Sequence, residues 1–178
     1  MSRRIQLSHT ANLRQVDVER IRRLLQHAFD EFSDRDWEHA LGGMHALAWE
    51  GEELVGHGSV VQRRLLQEGK ALRTGYVEAV AVRSEYRRHG YGRAIMTELQ
   101  RLIRGGYDLG ALSAASDEAA SFYLELGWQR WRGPTSVLTP TGIERTPEDD
   151  GSIFVLQSAA PLILDAELTC DWRAGDAW

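Results

Sequence analysis

The chain has 178 residues, 43% hydrophobic and 26% charged, and its 21 basic and 26 acidic side chains give a formal net charge of -5. That length suffices for one domain spanning 1–178 with an unstapled core, while the acidic balance argues against a duplex nucleic-acid binder, which needs a basic face. The lone cysteine, Cys170, excludes an internal disulfide and suits a reducing cytoplasm. No segment approaches the roughly 20 apolar residues that cross a bilayer, and the stretch from Met1 to Gln6 lacks the apolar run of a secretion signal.

In chain order, Ile21, Leu24, Leu25 and Ala28 recur at helical spacing and predict a helix from Asp17 to Phe29. A short helical turn is expected from Asp36 to Leu41. Two antiparallel strands, His45 to Trp49 and Leu54 to Val61, are read around Gly51, and a second pair, Arg64 to Gln67 and Ala71 to Arg73, around Glu68-Gly69-Lys70. The last of these runs on to Val82. Ile95, Met96, Leu99, Leu102 and Ile103 mark a helix from Gly92 to Arg104, followed by a buried strand, Leu109 to Leu112, and a helix from Asp117 to Leu126 with Phe122, Tyr123 and Leu126 inward. Strands are expected at Trp128 to Trp131 and Ser152 to Gln157, with Pro134 to Gly142 as a connection rich in turn signals. The alternation implies an α/β fold built on a mixed sheet.

The stretch "GYVEAVAVRSEYRRHGYGRAIM", residues 75–96, passes from strand to helix through a turn that holds arginines and glycines. Such a turn aims free N–H groups at the positive end of a helix dipole, a ready seat for phosphate. The dinucleotide fingerprint fails, since counting from Gly90 its third small residue falls at Ile95, and no G-x-x-x-x-G-K-[ST] loop is present. Arg87-Arg88-His89-Gly90-Tyr91-Gly92 resembles the (R/Q)-x-x-G-x-(G/A) pyrophosphate loop of the GCN5-related N-acetyltransferases, with a strand before it and Phe122-Tyr123-Leu124-Glu125-Leu126-Gly127-Trp128 in the expected place behind it.

Outside that loop, "DWEHALGGMHALAW", "VQRRL", "GYVEAVAVR", "GPTSVLTPTGIERTPEDDG" and "CDWRAGDAW" resemble the aminoglycoside 2'-N-acetyltransferases, from about Phe29 to the last residue. The resemblance implies a mixed, mostly antiparallel sheet flanked by helices, with strands splayed where acetyl-coenzyme A binds, and a homodimer. It implies pantetheine contacts along Val80, Ala81 and Val82, and pyrophosphate contacts at Arg87, Arg88, His89, Gly90, Tyr91, Gly92 and Arg93. It also implies that Glu31, Asp36, Glu78, Ala79, Ser113, Asp149, Asp176 and Trp178 face the sugar. Charge gives this partial support: beyond Pro147 seven acidic residues, from Glu148 to Asp176, stand against Arg173 alone, which suits a polycation, although an acidic tail is also commonly just solvated.

Attack on a thioester needs a neutral amine, so a base must remove a proton. Glu78, on the strand leading into the loop, is expected to do so through a water, because a carboxylate at its reference pKa of about 4 is a weak direct base. The Val80 N–H is expected to polarise the thioester carbonyl, and Tyr123 to protonate the departing thiolate. Glu78 pairing with an arginine and Tyr123 as a core aromatic remain open alternatives. The six histidines show no metal-binding spacing, so no metal is expected, although Glu38-His39, His45 and His57 could converge. Rival functions are acetylation of another cationic amine, such as a polyamine or a cell-wall amino sugar, and coenzyme A binding without catalysis.

Overall fold

Residues 3–178 are described by a computed structural model, so the first two residues of the N-terminal reading lie outside the described residues. The chain divides into two compact units, one of residues up to Val61 with Val77–Arg101, the other of Gln62–Tyr76 with Leu102–Trp178.

In the first unit, β1 (Arg3–His9) pairs antiparallel with β2 (Met44–Glu50), which pairs antiparallel with β3 (Glu53–Gln67) across a turn at Gly51, φ 59°. The sequence reading did not include β1. Its Ile5 and Leu7 alternate, but both stay only half-buried on an edge strand with arginines before them. Helix α1 (Gln15–Ala28) buries Ile21, Leu24 and Leu25 as its spacing predicts, against Trp37, Leu47, Trp49, Leu54 and Ala81. Helix α2 (Asp34–His39) begins two residues earlier than read, because Ser33 caps it: the Asp36 N–H donates to Ser33 Oγ (3.2 Å) and Ser33 N–H to Asp36 Oδ2 (2.7 Å).

Strand β4 (Lys70–Val82) departs from the simple alternation assumed for Val77, Glu78 and Ala79: Ala79 adopts φ 50°, which breaks the period and re-aims the strand just before its end. Helix α3 (Tyr91–Gly106) follows. Its Ile95 rests directly on β3, since a Cβ added to Gly56 or Gly58 would meet Ile95 carbons at 2.9 and 2.8 Å. The two glycines let the helix side chain sit this close to the strand.

In the second unit, β3 and β4 turn at Glu68 and Gly69, φ 51° and 76°, the pair of positive values a tight two-residue hairpin requires. Here β3 is continuous where two separate strands were read. Arg63, in the supposed break, is 5% exposed because its Nε donates to Asp171 Oδ1 (2.7 Å) and its guanidinium stacks over Tyr76. Strand β5 (Leu109–Ser113) runs parallel to β4 from Thr74↔Leu109 to Tyr76↔Ala111 and antiparallel to β9 (Ile153–Gln157) through Ser113. Helix α4 (Asp117–Glu125), capped by Ser116, buries Tyr123 and leaves Phe122 and Leu126 half-buried. The expected strand from Trp128 to Trp131 shrinks to β6 (Gln129–Arg130), its two tryptophans buried at either end. The stretch read as a connection is instead β7 (Thr135–Thr139) turning into β8 (Gly142–Arg145), and β7 runs parallel to β10 (Leu168–Asp171), a strand the sequence reading missed. Parallel and antiparallel pairs thus share one sheet, as the mixed reading required.

Candidate active site

The loop between β4 and α3 is built from backbone in the left-handed region. Arg88 has φ 64° and Gly90 φ 82°, with the Gly90 carbonyl accepting the Ala94 N–H (3.0 Å) as the first helical bond of α3. The N–H groups of the first turn lie ahead of that bond and point out of the N-terminal end of the helix. Arg87, Arg88, His89 and Arg93 are exposed around them. His89 Nδ1 donates to the Arg87 carbonyl (2.7 Å), and Arg87 Nε to the Val82 carbonyl (3.2 Å), which stiffens the loop.

Tyr91 behaves differently from its neighbours. Its ring is buried edge-on to Tyr86 and its hydroxyl donates to Glu50, so what it offers a ligand is backbone. Arg3, absent from the sequence reading, donates to the His89 carbonyl (3.1 Å) and lies over the Tyr91 ring. It brings one more cation to this turn. No local signal marks it, since 86 residues separate the pair. Beside the loop a cavity of about 830 Å³ is lined by Arg20, Arg23, Arg83 and Arg87 with Glu52, Glu53 and Glu85. The start of a helix, a glycine at positive φ and exposed arginines fit a pyrophosphate.

Upstream of the loop, Glu78, Ala79 and Val80 are half-buried and Ala81 is buried. The Glu78 carbonyl accepts from Ser59 Oγ (3.3 Å) and the Ala79 carbonyl from His57 Nδ1 (2.8 Å). Asp36 is committed in part to the capping box of α2, and Glu31 is exposed in the bend before it. His45 and His57 do converge, Nδ1 to Nε2 at 2.9 Å. They meet as a hydrogen-bonded pair, and among the described residues no cluster of three or more His, Cys, Asp or Glu side chains is arranged to hold a metal.

In the second unit, Tyr123 is 8% exposed, ringed by Phe122, Trp128 and Phe154, and burial pushes its phenol up to about 12. A buried phenol of that kind keeps its proton. Ser113 Oγ lies 3.5 Å from Ser152 Oγ, which donates to the Asp149 carbonyl (2.8 Å). Burial and the nearby Glu148, Asp176 and Asp150 hold the Asp149 carboxyl above its usual range. Trp178 is buried, and its indole N–H donates to Thr146 Oγ1 (3.0 Å), the residue immediately before the turn that carries Asp149. Ser113, Asp149, Asp176 and Trp178 thus share one neighbourhood, around crowded carboxylates.

The model of the acetyltransferase (GNAT) domain family matches residues 9–131. The chain belongs to the GNAT acetyltransferase family. This acetyltransferase is 53% identical over 177 residues to an aminoglycoside 2'-N-acetyltransferase of Mycolicibacterium fortuitum, covering 97% of this chain and 90% of that protein. Among solved structures it superposes on a GNAT family N-acetyltransferase of Escherichia coli in complex with CoA at a TM-score of 0.66 and 17% identity, covering 96% of this chain and 89% of the other. A GCN5-related N-acetyltransferase of Kribbella flavida gives 0.60 at 20% identity, with 74% of this chain and 34% of that one covered. The acetyltransferase therefore has the fold its loop sequence led one to expect, and acetyl-CoA is the acyl donor of its family.

Proposed function

We propose that the enzyme transfers the acetyl group of acetyl-CoA to the 2'-amino group of aminoglycoside antibiotics, and that this reaction confers resistance on its host. The observation that carries this reading is the 53% identity to the Mycolicibacterium fortuitum enzyme across 97% of the chain. The crowded carboxylates around Asp149 point the same way. A carboxyl held above its usual range by burial and by neighbouring negative charge is one that an ammonium group would relieve, and aminoglycosides bring several.

Acetyl-CoA supplies an activated thioester. The first-turn N–H groups of α3, with Arg87, Arg88 and Arg93, would hold its pyrophosphate, and the backbone from Val80 to Val82 its pantetheine. Glu78 takes the proton of the incoming ammonium through a water, which leaves a nucleophilic amine. The Val80 N–H, directed by the left-handed residue before it, donates to developing negative charge. Tyr123 holds a phenolic proton for the leaving sulfur, since burial keeps it protonated at working pH. Glu31, Asp36, Glu78, Ala79, Ser113, Asp149, Asp176 and Trp178 are the proposed sugar contacts. The enzyme works as a homodimer in the cytoplasm, where the buried Cys170 thiol, pushed up to about 11 mainly by burial, stays unreactive.

The test is release of coenzyme A thiol with gentamicin, which carries a 2'-amine, and with an analogue bearing a hydroxyl there. Turnover with the first alone supports the reading. Equal turnover of both, or turnover only with simple polyamines, assigns the enzyme another amine, and CoA binding without any acetylation makes it a binding module.

A further inference from the structure

We propose that His57 is a positioning residue for acetyl transfer: its imidazole anchors the Ala79 carbonyl and thereby aims the Val80 N–H and the Glu78 carboxylate, and its own proton is placed by Thr10 acting through His45. The proposal rests on the acetyl-transfer reading of Glu78 and Val80 and adds residues to which that reading gave no part.

Proton positions follow from what each group can do. A carbonyl only accepts, so His57 Nδ1, 2.8 Å from the Ala79 oxygen, carries the hydrogen. A neutral imidazole protonated at Nδ1 must accept at Nε2, where His45 Nδ1 stands at 2.9 Å and donates. His45 Nε2 then accepts, and Thr10 Oγ1 at 2.8 Å donates to it while accepting the Gly42 N–H at 2.9 Å. The Gly43 carbonyl, 3.2 Å from that hydroxyl, already takes the Thr10 backbone N–H at 2.9 Å and does not need the hydroxyl proton. One chain of donors thus runs from the Gly42 amide to the Ala79 carbonyl, with every member satisfied and both imidazoles neutral. Their environment agrees: neither ring is exposed, and burial lowers His45 to about 4 and His57 to about 3.

The receiving end of this chain is the one place in β4 that needs support. Ala79 at φ 50° has no side-chain polar atom to brace a left-handed backbone, a conformation that is unfavourable for an L-residue. The peptide between Ala79 and Val80 is planar and trans, so its C=O and N–H point in opposite directions. Holding the Ala79 oxygen on His57 therefore turns the Val80 N–H away from β3. The Glu78 carbonyl, tied to the fully buried Ser59 hydroxyl, is fixed by the same strand.

The experiment combines kinetics and NMR on the full chain. With gentamicin and acetyl-CoA, His57→Leu should lower kcat about tenfold while KM for acetyl-CoA stays within twofold. His57→Asn, whose amide nitrogen falls near the place of Nδ1, should recover at least threefold of that loss. Thr10→Val, at the far end of the chain, should lower kcat about threefold, because His45 loses the donor that fixes its tautomer. Wild-type kcat in His57→Leu, or equal losses in the Leu and Asn variants, would overturn the proposal. Independently of any substrate, ¹⁵N-detected histidine spectra of the wild type should show Nδ1–H tautomers at both His45 and His57, and an Nε2–H tautomer at either would overturn it. Should the wild type not acetylate gentamicin, the substrate reading fails while these spectra still decide the relay.

Discussion

The indole N–H of Trp178 donates to the hydroxyl of Thr146 across 3.0 Å, a bond that joins the last residue to the strand-end leading into the Asp149 turn. Thr146 Oγ1 in turn lies 2.9 Å from Thr135 Oγ1, and the Thr135 N–H donates to Asp150 Oδ1 at 2.8 Å. The acidic turn is thus held from both sides. Trp178→Ala should raise KM for gentamicin about tenfold and leave the affinity for acetyl-CoA unchanged. Isothermal titration with each ligand checks this, and equal loss of both would mean general unfolding instead.

At Gly90 the backbone has φ 82°, and a Cβ there would meet only the flexible end of Arg3 at 2.9 Å. The obstacle to a side chain is therefore conformational, costing about 1 kcal/mol. Gly90→Ala should melt only a few degrees lower yet weaken CoA binding about tenfold or more, because the N–H groups of the turn move. Gentamicin binding to the CoA-free protein should not change.

Glu78→Gln should lower kcat about a hundredfold with CoA affinity intact, the magnitude expected for loss of a general base. Tyr123→Phe should lower kcat by a similar factor at every pH from 6 to 10. Its phenol, raised to about 12, does not ionise in that range, so no basic limb of the profile belongs to it. A rate unchanged by Tyr123→Phe would return that ring to a packing role with Trp128 and Phe154.

His45 and His57 also predict how stability responds to acid. Both are lowered in the folded state, to about 4 and about 3, from an unfolded value near 6.5. Below about pH 6.5 the unfolded chain therefore takes up protons that the folded chain refuses, and stability is complete above that pH and falls as pH falls. The loss is on the order of 2 kcal/mol per histidine at pH 5. Thermal melts of wild type and His57→Asn should converge between pH 7.5 and 5, because asparagine does not titrate. A constant gap would contradict this.

Several of these features were readable in the residues and several were not. The apolar stripe of α1, the Gly51 hairpin and the Arg87 to Gly92 loop depend on neighbours a few positions apart, so local spacing exposes them. The left-handed backbone at Ala79 leaves no such trace, since alanine carries no preference for positive φ. Arg63 looked like a break in a strand because its partner, Asp171, is 108 residues away. The hairpin of β7 and β8 was hidden by Pro134, just before β7, and Gly142, the first residue of β8, whose turn signals suggest a single connection. At the candidate site, the loop and Glu78 came from motif and position, whereas the His45–His57 pair and Arg3 exist only through tertiary packing.

The central claim concerns where the acetyl group goes. The most direct measurement is NMR of the product formed from gentamicin and acetyl-CoA labelled with ¹³C in the acetyl group. The account predicts a single new amide, on the 2' nitrogen, with one acetyl per molecule. An amide at any other nitrogen, an ester, or unaltered gentamicin beside enzyme that binds CoA normally would contradict it.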